Sequence, residues 1–439
     1  MSSTEITVCS NMSNMNTDKK TWAKVVDPKG SDSHSTVSPY KDLVQDLEEL
    51  FPDLSIQNSV SAKYISDDIR LTDSDGEVCL YHYVDCDDNS SDDIKNMRGV
   101  IREGDTIVCK TFGYTPEISC FEVDEIKKRI HSFNQSTVYA AEEGATVRIW
   151  YDKKNGKWRD PSTHRKINAY QSRWGNPKTK TFGEMFIDAL YWESYEGELK
   201  GKFDFNDELY SQFCDTLDKS KTYAFLVRNS DSNRIVCEAP NHPQAYFIGS
   251  FDNTTHLLVE GNDSGFPYPE VLNFETVDDM IEYVRINTDC RKTQGVIVYL
   301  PDQTQLKIMN DTYLDFFAVR GNEPSVKFRY LQVRHDNDMV TKLCALYSDY
   351  IPAFELYDAI LDRITIKIYN AYVERFIKHN YVSLPQQEYF ILQICHGWHL
   401  QNKIKNKVNP KKVMEIIDDQ SPTTLNKLIR TYTNNKQSN

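Results

Sequence analysis

Residues 138–174 constrain the fold of this chain more than any other stretch, because strand-like runs alternate there with turns. A short strand, Thr137–Tyr139, leads into an acidic turn that ends at Gly144. A run of β-branched and aromatic residues, Ala145–Tyr151, predicts the next strand. Asn155-Gly156 then predicts a tight hairpin, since this pair tolerates the positive φ that such turns need. The stretch therefore predicts antiparallel β-structure.

A basic cluster follows the hairpin, Ser162-Thr163-His164-Arg165-Lys166. Hydroxyls and cations together suit a phosphate, because hydrogen bonds to its charged oxygens are strong. We therefore predict that His164, Arg165 and Lys166 contact a phosphate. Further cations are expected to line the same positive cleft: Arg98, Lys110, Arg148 and Lys307.

The charge balance restricts the kind of nucleic-acid binding that is possible. The 439 residues carry a formal net charge of −14, which argues against non-specific coating of nucleic acid but allows a local basic groove. No apolar run is long enough to span a bilayer, and the N-terminus has no secretory signal, so we expect a cytoplasmic protein. Residues 1–37 are rich in Ser, Asn, Thr and Asp and predict a disordered tail.

The cysteines indicate reduced thiols and predict no metal site. The ten cysteines are scattered, and none forms a Cys-x-x-Cys pair. Cys395, His396 and His399 place three ligand types within five residues, but no second half of a zinc site follows. Core packing is favoured over zinc at this position.

The remaining pattern predicts an α+β fold with antiparallel sheets flanked by helices, followed by a helical C-terminal domain. We place the boundaries at 38–335 for the mixed domain and 336–434 for the helical one. Phe328–Arg334 is interpreted as a strand or its exit. In the C-terminal part, one apolar stripe at helical spacing predicts a bundle core: Ile360, Ile364, Ile368, Tyr372 and Phe376.

The order of these elements resembles the covalent nucleotidyltransferases, in particular phage-type RNA ligases. Their signature is Lys-x-Asp-Gly at the first acidic turn, where the lysine attacks ATP and carries AMP as a phosphoramidate. The matching tetrad here is Ala141-Glu142-Glu143-Gly144. The resemblance gives Ala141 the nucleophile position, and a methyl group cannot be a nucleophile. It also implies that Glu143, in place of the aspartate, faces the nucleotide or RNA phosphate.

Other ligase-like motifs follow the same order. Arg98-Gly99-Val100-Ile101, and a strand that ends with Lys110 and Phe112, resemble the wall of the family's nucleotide pocket. Asn233–Val236 resembles a ligase Asn-Arg-Ile-Val segment, and Lys307 matches the first lysine of a Lys-hydrophobic-Lys strand. Three more family positions are changed: the ribose-binding Glu is Leu226, the metal-binding Glu is Gln294, and the last Lys is Met309.

Several independent changes of this kind indicate a chain that has lost adenylylation chemistry while keeping the fold. The sequence also resembles the RNA-ligase-like proteins of large cytoplasmic DNA viruses, whose lysine turn is altered too. That resemblance covers roughly residues 95–335 by motif order. It rests on Cys109–Glu117, Ser162–Lys166 and Phe328–Leu331.

Three hypotheses follow. The first is a pseudo-ligase that binds RNA or nucleotide phosphate without forming enzyme-AMP, in viral transcription or packaged in the virion. The second is an active RNA ligase that uses ATP and Mg²⁺ with Lys307 or Lys110 as a displaced nucleophile. The third is a structural subunit whose C-terminal helices contact viral partner proteins, which predicts an apolar, filled cleft around Leu226 and Met309.

Overall fold

The computed structural model describes most of the chain beyond its N-terminal part, namely residues 64–174, 179–206, 208–229, 235–321, 323 and 325–437. The predicted tail, 1–37, lies outside the described residues, as do Asn233 and Arg234 of the ligase-like segment.

Three β-sheets form the first part of the described chain. Their strands are β1 (Ile69–Asp75), β2 (Val78–Tyr83), β3 (Val100–Glu103), β4 (Thr106–Cys109), β5 (Glu117–Ser119), β6 (Thr137–Ala140), β7 (Ala145–Asp152), β8 (Lys157–Trp158), β9 (Lys221–Arg228), β10 (Gln244–Asp252), β11 (Leu258–Val259), β12 (Val271–Leu272), β13 (Gly295–Tyr299) and β14 (Gln305–Met309). The sheet orders are β1-β2-β3-β4, β11-β10-β9-β7-β8 and β12-β6-β13-β14-β5. Neighbouring strands are antiparallel except β14 and β5, which are parallel.

The helices are α1 (Asp92–Lys95), α2 (Val123–Arg129), α3 (Phe182–Tyr195), α4 (Leu209–Asp215), α5 (Val277–Glu282), α6 (Asp311–Arg320), α7 (Val326–Val333), α8 (Asn337–Leu346), α9 (Ile351–Tyr372), α10 (Gln386–Gln401), α11 (Pro410–Asp418) and α12 (Pro422–Gln437). The predicted α+β class, with antiparallel sheets flanked by helices and a helical C-terminal part, is confirmed.

The predicted hairpin joins β7 to β8. Tyr151 pairs with Trp158, and Asp152 pairs with Lys157. Gly156 has φ +65°, a conformation that costs a residue without a side chain little. The Asp152 carboxylate accepts from the Asn155 backbone N–H at 2.9 Å and closes the turn.

The two five-stranded sheets meet through aromatic side chains. The Tyr299 ring, from β13, lies 5.2 Å from that of Phe112, which in turn lies 4.8 Å from the Phe251 ring of β10. The Tyr299 hydroxyl donates to the Ile248 carbonyl of β10 at 3.0 Å. This junction sets the distance between the sheets and leaves room for a cavity beside it.

The C-terminal helices pack around one apolar core, and the predicted stripe lies in or against it. Ile360, Ile364, Ile368 and Tyr372 are buried on α9, with Phe376 packed against them. Cys395 is buried in the same core. Core residues from earlier in the chain, including Val236 and Met309, join this cluster, so the helical part is anchored directly to the sheets.

The strand predicted at Phe328–Arg334 is wrong, because α7 occupies Val326–Val333. Ser325 begins the helix by accepting from the Phe328 N–H. Val326, Tyr330 and Val333 are buried, a spacing that is typical of one helical face. The aromatic and β-branched residues of this short run had favoured a strand.

Among the described residues, no helix combines the length and apolarity needed to cross a membrane.

Candidate functional site: a cavity beside Ala141

Backbone hydrogen bonds to β13 hold the turn that follows β6. The Ala141 N–H donates to the Gly295 carbonyl at 2.9 Å, and the Ala141 carbonyl accepts from the Gln294 N–H at 2.9 Å. Ala141 is buried, with 3% of its surface exposed. The position that the resemblance gives to a lysine nucleophile thus holds a methyl group in fixed surroundings.

A cavity of about 190 Å³ lies beside this residue, and its wall includes strands of both five-stranded sheets. We call it the Ala141 cavity. Leu226 and Gln294, two further positions where the sequence departs from the ligase motifs, line it together with Arg98 and Lys307. Ligand pockets usually measure about 300–1,000 Å³, so this cavity is sized for a small group rather than a whole nucleotide.

Lys307 contributes a paired cation to the cavity wall. The parallel register of β14 and β5 sets it opposite Glu117, and its Nζ lies 3.1 Å from the Glu117 Oε1. The neighbouring Lys307 charge holds the pKa of Glu117 below its ordinary value. Lys307 and Glu117 thus form an ion pair on the cavity wall.

Arg98 contributes a second cation with donors to spare. One of its terminal nitrogens donates to the Gly113 carbonyl at 3.1 Å and to the Thr115 hydroxyl at 3.3 Å. Its other N–H groups make no hydrogen bond within the described part of the chain. These donors are available to an anion in the cavity, because a guanidinium presents five N–H groups in a fixed fork.

Two polar side chains at the turn side of the cavity complete its wall. The Glu142 carboxylate is paired with Arg228, and burial raises the pKa of Glu142 while Arg228 opposes that shift. Gln294 donates through Nε2 to the Tyr313 hydroxyl at 2.8 Å. Its Oε1 is buried and has no hydrogen-bond donor among the described residues.

A Mg²⁺ ion of the kind that ligases use does not fit this donor set. Mg²⁺ requires an octahedron of oxygens, usually with one or two carboxylates free to bind it. The two carboxylates on the wall, Glu117 and Glu142, are each paired with a cation, and Gln294 offers only a neutral oxygen. Within the described ranges, no three His, Cys, Asp or Glu side chains cluster as metal ligands.

Glu143 serves the fold on the opposite side of the turn. Its carboxylate accepts from the backbone N–H groups of Ile235, Val236 and Cys237 at 2.6, 2.9 and 3.2 Å. It also accepts from the Tyr313 hydroxyl at 3.0 Å. The structure therefore does not bring this predicted phosphate contact into the Ala141 cavity, because backbone donors occupy the carboxylate.

Arg148 is also separated from the cavity, because its side chain is completely buried. Its two terminal nitrogens donate to the carbonyls of Gly99 and Thr163. The guanidinium thus pins the start of β3 and the basic cluster to β7. A phosphate has no access to a group that is enclosed and engaged in this way.

The basic cluster divides into side chains with different surroundings. His164 lines the Ala141 cavity, but burial, with help from Arg98 and Arg148, lowers the pKa of His164 well below its ordinary value. The ring is therefore neutral near pH 7. Lys166 pairs with Asp73 at 3.2 Å. Arg165 is exposed and faces a different cavity.

Lys110 lies away from Ala141 as well. It lines a separate cavity of about 490 Å³ with Arg102 and Tyr64. Burial lowers the pKa of Lys110, and the charge of Arg102 adds to that effect. Lys307 is therefore the one lysine that lines the Ala141 cavity within the described chain.

The filled cleft expected for a structural subunit is not what the described residues form. Met309 is buried in the core of the C-terminal helices. Leu226 is part of the cavity wall and leaves the cavity open.

Sequence reasoning gave no role to three side chains that define the site. Glu117 appeared only as part of a motif, while Arg228 and Tyr313 were not considered. Glu117 follows directly after Pro116 in that motif, but its partner Lys307 is 190 positions away in the chain, so no local signal indicates the pair. Nothing local in the sequence indicates that Tyr313 reaches Glu143, 170 positions away.

Comparison with known proteins gives distant relatives. No profile of a known protein family matches the chain. The protein "Immediate-early protein ICP-46 homolog" of Invertebrate iridescent virus 3 is 27% identical over 357 residues, which are 78% of this chain and 75% of that protein. The protein of the same name from Invertebrate iridescent virus 6 is 26% identical over 357 residues, covering 76% of each.

Structure comparison aligns the chain with solved structures of ligases. An archaeal ATP-dependent RNA ligase has a TM-score of 0.42 and 11% identity, covering 71% of this chain and 82% of its own. The RNA ligase of Naegleria gruberi, solved with PPi, has a TM-score of 0.29 and 10% identity, covering 46% of this chain and 57% of its own. The predicted similarity to viral proteins is confirmed by the two relatives from iridescent viruses.

Proposed function

We propose that this protein is an RNA-ligase-like pseudoenzyme that holds the phosphate of an RNA or nucleotide in the Ala141 cavity and forms no covalent enzyme-nucleotide intermediate. The observation that carries the proposal is the composition of one wall. Ala141, Leu226 and Gln294 stand in place of the reactive, ribose-binding and metal-binding groups, while Arg98 and Lys307 keep a positive charge there.

Phosphate binding is supported by the free donors of Arg98 and by the size of the cavity. A guanidinium fork matches phosphate oxygens, and hydrogen bonds between charged groups are about twice as strong as neutral ones. A volume of about 190 Å³ suits a terminal phosphate. The Glu117 carboxylate forms an ion pair with Lys307. A bound phosphate would compete with this carboxylate for Lys307, which limits the affinity for phosphate.

The proposed lack of covalent chemistry is supported by the ion pair of the available amine. Attack on ATP needs a neutral lysine. Lys307 lines the cavity, and its Nζ lies 3.1 Å from the Glu117 Oε1 in an ion pair. An RNA ligase that acts through Lys307 would first have to break this pair.

The proposed setting comes from the sequence relatives. Both are proteins of iridescent viruses, so we assign the activity to a virus-infected cell, in the cytoplasm or packaged in the virion. RNA is the substrate we infer, with viral proteins as partners of the C-terminal helices.

The test compares two RNA oligonucleotides that differ only in a 5′-phosphate or 5′-hydroxyl end. We expect the phosphorylated RNA to bind about tenfold more tightly, since one charge-assisted phosphate contact contributes roughly 1.5–3 kcal/mol. Lys307→Met and Arg98→Ala should each reduce this preference. Lys327→Ala, which removes an exposed cation on α7, is the matched control and should keep it.

Circular dichroism and thermal melting must show that each variant is folded. Equal binding of the two RNAs by the folded wild-type protein, unchanged in all variants, would overturn the proposal and favour the structural-subunit hypothesis.

A further inference from the structure

We propose that a second cavity, on the other side of the Glu143-Gly144 turn, binds one base and its phosphate from a single strand of RNA. This inference rests on the proposed function, because it treats the Ala141 cavity as the site of the terminal phosphate. It adds the class of ligand, which is a single strand of RNA rather than a free mononucleotide.

The two cavities are neighbours. Gly144 belongs to the wall of both, and a Cβ at this position would lie 2.7 Å from the Val227 carbonyl. The second cavity measures about 420 Å³, within the range of small-molecule sites. An RNA strand that passes the turn can therefore place one phosphate in the Ala141 cavity and the adjoining nucleotide in the second cavity.

Aromatic side chains supply a surface for a base. Trp174 and Phe182 both line the second cavity. The Trp174 indole N–H is buried and has no acceptor among the residues that the structure describes. Flat aromatic rings bind bases of any sequence by stacking, and this is the usual way in which proteins hold single strands.

Cations supply the partner for the phosphate. Arg165, Arg173 and Arg228 line the same cavity. Arg228 is engaged by Glu142 and by the Glu238 carbonyl. The Arg165 side chain is exposed and makes no hydrogen bond or ion pair to any described residue, which leaves its guanidinium available.

The two acids in the wall are both engaged by other groups of the protein. The Glu143 carboxylate is occupied by three backbone N–H groups and Tyr313. Glu238 pairs with Arg291 at 3.4 Å. The combination of stacking rings with a free guanidinium fits a base joined to a phosphate, and a second such site next to the first fits a strand.

The experiment uses the full chain and a short fluorescein-labelled oligouridylate with a 5′-phosphate or a 5′-hydroxyl. We expect Arg165→Ala and Trp174→Leu each to weaken binding of both oligonucleotides about tenfold, as typical for loss of a phosphate contact or a stacking ring. Each variant should keep the preference for the 5′-phosphate. Lys327→Ala again serves as the charge-matched control.

A second readout reports the stacking directly. Bound oligouridylate should quench part of the tryptophan fluorescence, and Trp174→Phe should lose that part while it still binds. UMP should compete weakly with the oligonucleotide.

The outcomes separate the two proposals. If wild-type protein bound both oligonucleotides equally, but Arg165→Ala and Trp174→Leu still weakened binding, the proposed role of the Ala141 cavity would be overturned and that of the second cavity would stand. Folded Arg165→Ala and Trp174→Leu proteins that bind like wild type would overturn the second site. If UMP displaced the oligouridylate with the same affinity as unlabelled oligouridylate, the second cavity would be a site for mononucleotides, and the proposal of a strand-binding site would be overturned.

Discussion

The two sides of a single turn differ in how their polar groups are used. On one side, Ala141 and Gln294 face a cavity in which the Gln294 Oε1 has no partner in the described structure and the Arg98 guanidinium has free donors. On the other side, two residues further on, the Glu143 carboxylate accepts four hydrogen bonds. The Arg98 donors on the cavity side are available to a ligand, whereas the Glu143 carboxylate is fully engaged by the fold.

This difference shows that nearby residues of one sequence motif can serve different purposes, one in folding and another in binding a ligand. A carboxylate that anchors three backbone N–H groups cannot be replaced without leaving them unsatisfied. A lysine that acts only on a substrate can be replaced by alanine without any cost to folding. Within the turn, the fold therefore requires an acceptor at Glu143 and makes no such demand on the Ala141 side chain.

The largest expected effect is on the Glu143 side. Glu143→Ala should destabilise the protein by about 3–5 kcal/mol, because it leaves three buried N–H donors and the Tyr313 hydroxyl without their acceptor. Chemical denaturation followed by circular dichroism measures the change. Glu143→Gln keeps one acceptor oxygen and should cost less; equal stability of Glu143→Ala and wild type would remove the contrast between the two sides.

Arg148 extends the comparison to a second residue that the sequence had assigned to phosphate. Arg148→Met should lower the stability by about 2–4 kcal/mol, since the buried carbonyls of Gly99 and Thr163 lose their donors. Arg165→Ala, an exposed cation of the same region, should change the melting temperature little. A ranking of the two variants in the opposite order would contradict the structural role of Arg148.

Changes on the cavity side should be tolerated. Gln294→Leu removes an unpartnered oxygen and one hydrogen bond to Tyr313, so we expect a stability change within about 1.5 kcal/mol. The same denaturation experiment as for Glu143 measures it. A loss as large as that of Glu143→Ala would mean that both sides of the turn serve the fold equally.

The smallest effect concerns pH. Lys307 holds the pKa of Glu117 below its ordinary value, so the pair stabilises the fold above that ordinary value and loses this contribution as the pH falls through the lowered one. The Glu117 side chain is 56% exposed, which limits the contribution to less than about 1 kcal/mol. The stability difference between wild type and Glu117→Gln should be present at neutral pH and vanish in acid; a difference that grows on acidification would have the wrong sign.

The fold could be predicted to a large extent from the sequence, because its signals are local. The Asn155-Gly156 turn, the alternation of Ala145–Tyr151 and the helical stripe from Ile360 each depend on neighbours within a few residues. Phe328–Arg334 was misassigned because its aromatic and β-branched residues favour a strand, whereas the buried face of α7 decides the helix. Packing against distant helices outweighs local preference there.

The site was less predictable, because the sequence does not show which way a side chain points. Motif order indicated Ala141, Leu226, Gln294, Arg98 and Lys307, and the structure places all five on one cavity wall. The same reasoning could not show that Arg148 is enclosed or that Glu143 turns toward Val236. Whether a cation binds a phosphate or the backbone depends on contacts between residues that are far apart in the chain.

An adenylylation assay tests the central claim most directly. Purified protein is incubated with radiolabelled ATP or GTP and Mg²⁺ or Mn²⁺, and the products are separated on a denaturing gel beside an active RNA ligase. Our account predicts no labelled band from wild-type protein that binds 5′-phosphorylated RNA in parallel. A labelled band that disappears in Lys307→Ala would contradict it and establish a ligase with a displaced nucleophile.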